Sequence, residues 1–133
     1  MILMIFQDFG VEQCMKLNSK TNFPWLMSNL TKLDGSKLAA TEEICVLEKD
    51  GKKYGFMGLV ELGWISTLNC LDLDELIYED YVIAANRLSL ELRTVYKCDY
   101  IIALTHMRTY NDVRLAEESQ DIDLILGGHD HVV

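Results

Sequence analysis

The chain has 133 residues, half of them apolar, and a formal net charge of −9 at pH 7, which is typical of one acidic globular domain with a substantial core. An acidic surface without a run of basic residues excludes a general nucleic-acid binder, because it repels a phosphate backbone. The sequence has no stretch of membrane-spanning length, and its apolar start lacks the basic segment of a signal peptide. We therefore expect no nucleic-acid or membrane partner and, by default, a cytoplasmic location.

The first half of the chain predicts a helix, a short strand and a hairpin. Residues 1–6 fit either the end of a strand or a cut edge of a core, and apolar residues at helical spacing predict a helix over 11–17. Residues 23–29 predict a short buried strand, and residues 31–41 predict a loop. Asp50 and Gly51 then separate two apolar strands, 44–48 and 53–60, and this is the signature of a β-hairpin.

The second half alternates helices and strands. Residues 61–74 are irregular, and Trp64 in them is either a core anchor or, less commonly, a substrate-facing side chain. A helix is predicted over 79–96 and a buried strand over 99–105. A second helix begins near residues 110–112, with Asn111 or Asp112 as its cap, and ends near 119. An apolar run, 122–126, predicts a last strand that is buried on both faces.

This alternation predicts the fold class. Wholly apolar strands joined by connections of helical length favour parallel strands with right-handed crossovers, and the hairpin adds an antiparallel pair. The chain is therefore expected to be an α/β protein with a mixed sheet, and to form one domain or a piece of one.

The three histidines of the chain follow two of these strands. His106 comes directly after the strand over 99–105, and His129 and His131 follow Gly127 and Gly128 at the end of the last strand. The carboxyl ends of parallel strands are where α/β sheets hold their ligands, and neutral imidazole binds zinc, manganese, iron and similar divalent ions. The alternative is a solvated tail that happens to contain two histidines.

Carboxylates that could complete a metal site are few. Asp8, Asp112 and Asp130 are the loose candidates. A two-metal site needs several carboxylate, amide and imidazole ligands around ions that lie about 3.5–4 Å apart. Three histidines and these aspartates fall short of two coordination spheres.

Four blocks resemble the calcineurin-like metallophosphoesterases, in their 5'-nucleotidase branch. They occur in the family's order, and the most specific are Leu-Thr-His-Met and Gly-Gly-His-Asp-His. The four blocks cover residues 21–29, 54–61, 101–108 and 127–131. The resemblance implies an αββα sandwich of mixed sheets with two divalent metals of the zinc, manganese, iron or magnesium class. It also implies hydrolysis of phosphomonoesters, with nucleotides as the expected substrates.

The resemblance also implies roles for single residues. It assigns His106 and His129 to the second metal and His131 to the first. Arg108 is expected to hold a phosphate oxygen, with a surface cation as the alternative. Asp130 is expected to face solvent or to support the ligands indirectly.

The sequence departs from the family at its amino end. The family's Asp-x-His and Gly-Asp metal blocks are absent, and its Asn-His block falls on Met4 and Ile5. Asp8, which the resemblance would pair with the catalytic histidine, is the catalytic residue that remains. Residues 1–133 are therefore expected to form a partial domain without the N-terminal metal blocks and without a C-terminal nucleotidase domain.

Two functions follow as hypotheses. The first is a nucleotidase-like phosphoesterase of which this chain carries part of the dinuclear site and is inactive alone. The alternative is a non-catalytic remnant of the fold that binds a metal or a partner, with self-association through exposed strand edges. Nucleoside monophosphates, cyclic nucleotides and nucleotide sugars all remain open as substrates, and the metal remains open too.

Overall fold

The computed structural model describes residues 4–65 and 73–130, with side chains over 11–65 and 74–130. The helices and strands follow one another in the order α1 (Met4–Asn18), β1 (Leu30–Lys32), β2 (Ile44–Lys49), β3 (Lys52–Val60), α2 (Leu62–Ile65), β4 (Leu76–Tyr78), α3 (Tyr81–Thr94), β5 (Tyr100–His106), α4 (Thr109–Glu118) and β6 (Leu124–Leu126).

The main sheet is mixed, as the sequence predicts. Its four strands lie in the order β2-β3-β5-β6; β2 and β3 form the antiparallel hairpin, and β3, β5 and β6 run parallel. Asp50 and Gly51 both have positive φ, 53° and 72°, and this is the backbone that a two-residue turn between twisted strands requires.

Both faces of the two central strands are covered, which explains their continuous apolar sequence. On one face, Met57 and Leu59 of β3 pack with α3 and with Ile101 of β5. On the other face, Val60 packs in a second cluster that contains Trp25 and Trp64. Trp64 is therefore a core side chain, in agreement with the first of its two interpretations.

Helix α3 packs against the sheet through small and branched side chains. Ala84, Ala85, Leu88 and Leu92 are fully buried, and the carboxylate of Asp80 caps the helix by accepting the Val82 N–H at 2.9 Å. The helix predicted over 79–96 is present as Tyr81–Thr94, two residues shorter at each end. Val95 follows Thr94, the last residue of the helix, and its side chain is 67% exposed.

The strand predicted over 23–29 is wrong. This segment is buried from Trp25 onwards, but it donates its backbone hydrogen bonds to two different segments. Met27 N–H donates to the Glu42 carbonyl at 2.9 Å, and Ser28 N–H donates to the Gly58 carbonyl at 2.8 Å. Its apolar sequence reflects burial, and its backbone is not paired along a neighbouring strand.

Two further predictions near the amino end are also corrected. The helix begins at Met4, so residues 4–6 are helical rather than part of a strand. The predicted loop 31–41 begins inside β1, which pairs antiparallel with β4. That partner strand is more than 40 residues away, and no local pattern reveals it.

Strand β6 lies at the edge of the described sheet. Leu124 and Leu126 are 46% and 49% exposed, so the prediction of a strand buried on both faces is wrong. Its apolar sequence matches that of a central strand, while its position in the described sheet is at an edge.

In the described part of the chain, the helices lack the length and apolar character that crossing a membrane requires.

Gly58 allows segment 25–29 to lie directly on β3. A Cβ at residue 58 would come within 2.9 Å of both the Cβ and the carbonyl oxygen of Leu26. We predict that Gly58→Ala lowers the free energy of unfolding by about 1–3 kcal/mol, because the backbone of residue 26 must move away. Urea unfolding followed by tryptophan fluorescence measures this change.

Gly63→Ala is the matched control, since a Cβ at residue 63 would have its nearest neighbour, Arg108 Nη1, at an ordinary 3.7 Å. Equal stability of the two variants would contradict the proposed close contact.

Candidate active site

The ends of three parallel strands meet at one edge of the main sheet. Val60, the last residue of β3, lies beside His106, the last residue of β5. Strand β6 ends at Leu126, and its chain returns to the same edge through a parallel bridge between Met107 and His129. The expected convergence of His106 and His129 is therefore present, while His131 lies outside the described residues.

The two imidazoles face each other. His106 Nε2 lies 3.2 Å from His129 Nδ1, with the ring planes at 80°. The indole of Trp64 packs edge-on against His106, with 5.4 Å between the ring centroids, and restricts that ring from the core side. His129 adopts a φ of 94°, a conformation that is uncommon for a residue with a side chain and concentrates at functional sites.

Their spacing fits a shared cation. Two nitrogens that each bind one ion at about 2.0–2.1 Å lie roughly 2.8–3.4 Å apart, with the shorter values in octahedral and the longer in tetrahedral geometry. The observed 3.2 Å falls within that interval, and it also suits an N–H···N hydrogen bond between neutral rings. Among the described residues, no group of three or more histidine, cysteine, aspartate or glutamate side chains is arranged to hold a metal.

The two glycines before His129 lie close to β5 and α4, and Gly127 is the more crowded of the two. A Cβ at Gly127 would lie 2.8 Å from Asp112 Oδ2, and a Cβ at Gly128 would lie 3.4 Å from the Thr105 carbonyl. The chain after β6 therefore passes against β5 and α4 before it reaches His129.

Asp112 lies in the first turn of α4 and does not cap it. Its Oδ1 accepts the hydroxyl proton of Thr105 at 2.6 Å. Burial raises the pKa of this carboxyl, and the negative charges of Asp130 and Glu61 add to the rise. Helix α4 begins at Thr109, so the prediction that Asn111 or Asp112 caps it is wrong.

The carboxylates that complete the start of α4 come from other elements. Among the described residues, the N-cap residue Arg108 makes no side-chain capping bond. Asp130 accepts the Thr109 N–H at 2.7 Å and the Thr109 hydroxyl at 2.9 Å, and these two bonds lower the pKa of Asp130. Glu61 accepts the Arg108 N–H at 3.1 Å.

Glu61 is the residue of this edge that sequence reasoning missed. It follows β3 directly and only 4% of its side chain is exposed. Besides the Arg108 N–H, its Oε2 accepts a hydrogen bond from the Asn111 side-chain amide, whose own oxygen accepts from the Tyr81 hydroxyl at 2.8 Å. A single acidic residue at the end of an apolar strand, on the edge that carries the histidines, was the available signal.

Arg108 extends from this edge toward solvent. About half of its side chain, 48%, is exposed, and its Nη1 lies 3.6 Å from Glu61 Oε1 and 3.3 Å from the Tyr110 hydroxyl. The bond to Tyr110, followed by the charge of Glu61, raises the pKa of Arg108. Asp8, the predicted catalytic residue, lies in α1 with its side chain outside the described set.

Solved structures with this arrangement of strands define the class of protein. The NAD nucleotidase NadN of Haemophilus influenzae matches 96% of the chain with a TM-score of 0.77 at 22% identity, over 25% of its own length. The calcineurin-like phosphoesterase YfkN of Bacillus subtilis matches 96% with a TM-score of 0.76 at 23% identity, over 43% of its length. The chain therefore has the calcineurin-like phosphoesterase fold.

Sequence relatives carry the assignment further. The 5'-nucleotidase of Vibrio vulnificus (strain CMCP6) is 30% identical over 92% of the chain and 24% of its own length. An apyrase of Tabanus yao is 36% identical over 65% of the chain and 15% of its own length. No family model matches the chain. The chain belongs to the calcineurin-like metallophosphoesterases, with relatives among their 5'-nucleotidases, and it spans about a quarter or less of these two relatives.

We predict that Glu61→Ala lowers the free energy of unfolding by about 1–3 kcal/mol, because the part-buried Arg108 N–H and the Asn111 side-chain amide lose their acceptor. Glu61→Gln retains one acceptor oxygen and is expected to lose less. Urea unfolding of both variants measures the difference.

Glu117→Ala, on the exposed side of α4, is the matched control and is expected to change stability by less than about 0.5 kcal/mol. If Glu61→Ala behaved like this control, Glu61 would not hold the start of α4.

Proposed function

We propose that this chain supplies part of a metal-dependent phosphoesterase site that acts on nucleotides. The observation that carries the proposal is the 3.2 Å approach of His106 Nε2 and His129 Nδ1 at the ends of two parallel strands. His131, two residues further on, is proposed as a third imidazole ligand. Relatives named as 5'-nucleotidase and apyrase support nucleotides as the substrate class.

The two facing imidazoles would hold one divalent cation. Both rings would then have to present unprotonated nitrogens to it. A divalent cation, when bound, would supply Lewis acidity toward a phosphoryl oxygen. The protein contributes orientation, since Trp64 packs against the His106 ring and the bridge to Met107 holds His129.

Arg108 is proposed as the phosphate-binding residue. Helix N-termini often bind phosphate through their free N–H groups, but the first N–H groups of α4 already donate to Glu61 and Asp130. The half-exposed guanidinium of Arg108 remains as a donor that can grip a phosphate oxygen. Because Glu61, Asp112 and Asp130 are all acidic, phosphate is expected to bind well only after a cation has.

The chain by itself is proposed to be catalytically weak. The family's Asn-His block aligns with Met4 and Ile5, so one amide ligand and one proton-donating imidazole are replaced by apolar side chains. Asp8 is the remaining acidic residue of that block, and it is proposed as catalytic through its alignment alone. Two or three imidazoles give modest affinity for transition metals, and a dinuclear centre needs more ligands.

Metal titration tests this proposal. We expect the wild-type chain to bind Co²⁺ or Zn²⁺ weakly, and we expect His106→Ala and His129→Ala each to abolish binding. Calorimetry and the visible spectrum of Co²⁺ measure this binding. Hydrolysis of a nucleoside monophosphate is expected to be negligible with added Mn²⁺ or Zn²⁺.

Glu117→Ala serves as the control for this titration and should retain wild-type binding. Metal binding that survives in both histidine variants would contradict the site. Robust hydrolysis that is lost in both variants would contradict the proposed catalytic weakness while supporting the site itself.

A second candidate function is partner binding without catalysis. It is favoured by β6, whose Leu124 and Leu126 are about half exposed at an edge of the described sheet. The occupant proposed is a second copy of this chain, because the same edge in two copies offers matching backbone donors and acceptors.

Sedimentation velocity over a concentration series tests this candidate. We expect a monomer–dimer equilibrium that Leu124→Lys and Leu126→Lys shift toward the monomer, because a buried ammonium group opposes pairing. Leu90→Lys, on the exposed side of α3, is the control. A wild-type chain that stays monomeric throughout would contradict self-association.

A further inference from the structure

Asp130 joins the histidine-bearing segment to the start of helix α4. It follows His129 directly, and its Oδ2 accepts both the main-chain N–H of Thr109, at 2.7 Å, and the Thr109 hydroxyl, at 2.9 Å. Thr109 is the first residue of α4. A carboxylate at this place satisfies one of the helix's unpaired donors and interacts favourably with the helix dipole.

In the part of the chain that the structure describes, a backbone bridge and the bonds of Asp130 attach the segment that carries His129 to its neighbours. Gly127 and Gly128 precede it, and glycine leaves the backbone with more conformational freedom than other residues. The bridge to Met107 holds His129 on one side, and the bonds of Asp130 hold the residue that follows. Between these two attachments, His129 is kept at its unusual φ of 94°.

We propose that Asp130 is a positioning residue that holds the His129 ring opposite His106 by anchoring its segment to Thr109. The metal part of this inference rests on the proposed function, whereas the geometric part concerns the metal-free chain. Asp130 acts here through Thr109 and is not itself a ligand. The opposite view, a carboxylate ligand that happens to touch α4, makes different predictions for the variants below.

The first experiment uses the metal-free chain. Nuclear Overhauser effects between the His106 and His129 rings and the ¹⁵N shifts of their ring nitrogens report the facing geometry. We expect Asp130→Ala to weaken or remove the inter-ring effects, and Asp130→Asn to retain them in part, because the amide oxygen still accepts one bond. Thr109→Val removes the hydroxyl and leaves the N–H, so an intermediate loss is expected.

The second experiment measures Co²⁺ affinity for the same variants. We expect Asp130→Ala to weaken binding about 10- to 100-fold, as loss of a group that orients metal ligands commonly does, and Thr109→Val to weaken it less. Glu117→Gln, on the exposed side of α4, should match the wild type in both experiments.

The outcomes separate the alternatives. If Asp130→Asn lost affinity as fully as Asp130→Ala while Thr109→Val had no effect, Asp130 would be a ligand and the positioning role would be overturned. Unchanged ring contacts in Asp130→Ala would overturn it as well. If the wild-type chain failed to bind Co²⁺, the proposed metal site would fall, and the ring contacts of the metal-free variants would still decide the role of Asp130.

Discussion

The parallel alignment of β3, β5 and β6 is the constraint on which the rest of this site depends. Parallel neighbours finish on the same side of a sheet: Val60 ends beside His106, and β6 ends at Leu126 beside Leu104 before the chain bridges back to Met107 at His129. One-residue slips in either register would send an imidazole to the other face. The chain then passes close to β5 and α4 at Gly127 and Gly128, and beyond them His129 Nδ1 lies 3.2 Å from His106 Nε2.

The carboxylates at this edge organise backbone as well as charge. Glu61 from the end of β3 and Asp130 from beyond β6 accept the first two N–H groups of α4, so one helix start connects all three strand ends. The capping residues lie 47 and 21 positions away in sequence. Their bonds therefore stabilise the helix as a local cap does, and they also attach it to two distant segments. Because these N–H groups already donate to carboxylates, the helix terminus does not offer them to an anion. The same bonds fix the segments that carry the histidines.

Local sequence patterns predicted the parts of this fold that local physics controls. The hairpin around Asp50 and Gly51, helix α3 and strand β5 were recognisable, as was the convergence of His106 and His129, because each depends on periodicity or on strand polarity. The pairing of β1 with β4 was missed, because the two strands are more than 40 residues apart in sequence and local patterns do not connect them. Glu61 was missed for the same reason: its partners, Arg108 and Asn111, belong to an element that sequence alone did not bring beside β3.

The facing histidines also imply a constraint on how a cation would enter under the proposed function. At 3.2 Å, two neutral rings are satisfied by one N–H···N bond, in which one inward nitrogen carries a proton and the other a lone pair. A shared cation needs both inward nitrogens unprotonated, so one ring must move its proton to the outward nitrogen. The N···N spacing of the hydrogen bond would also suit a common ion, but each lone pair would have to turn from the facing nitrogen toward the ion, so the rings would rotate. Under the proposed function, cation binding at this pair would therefore combine a change of tautomer in one ring with a rotation of the two rings, which the fold already holds close together.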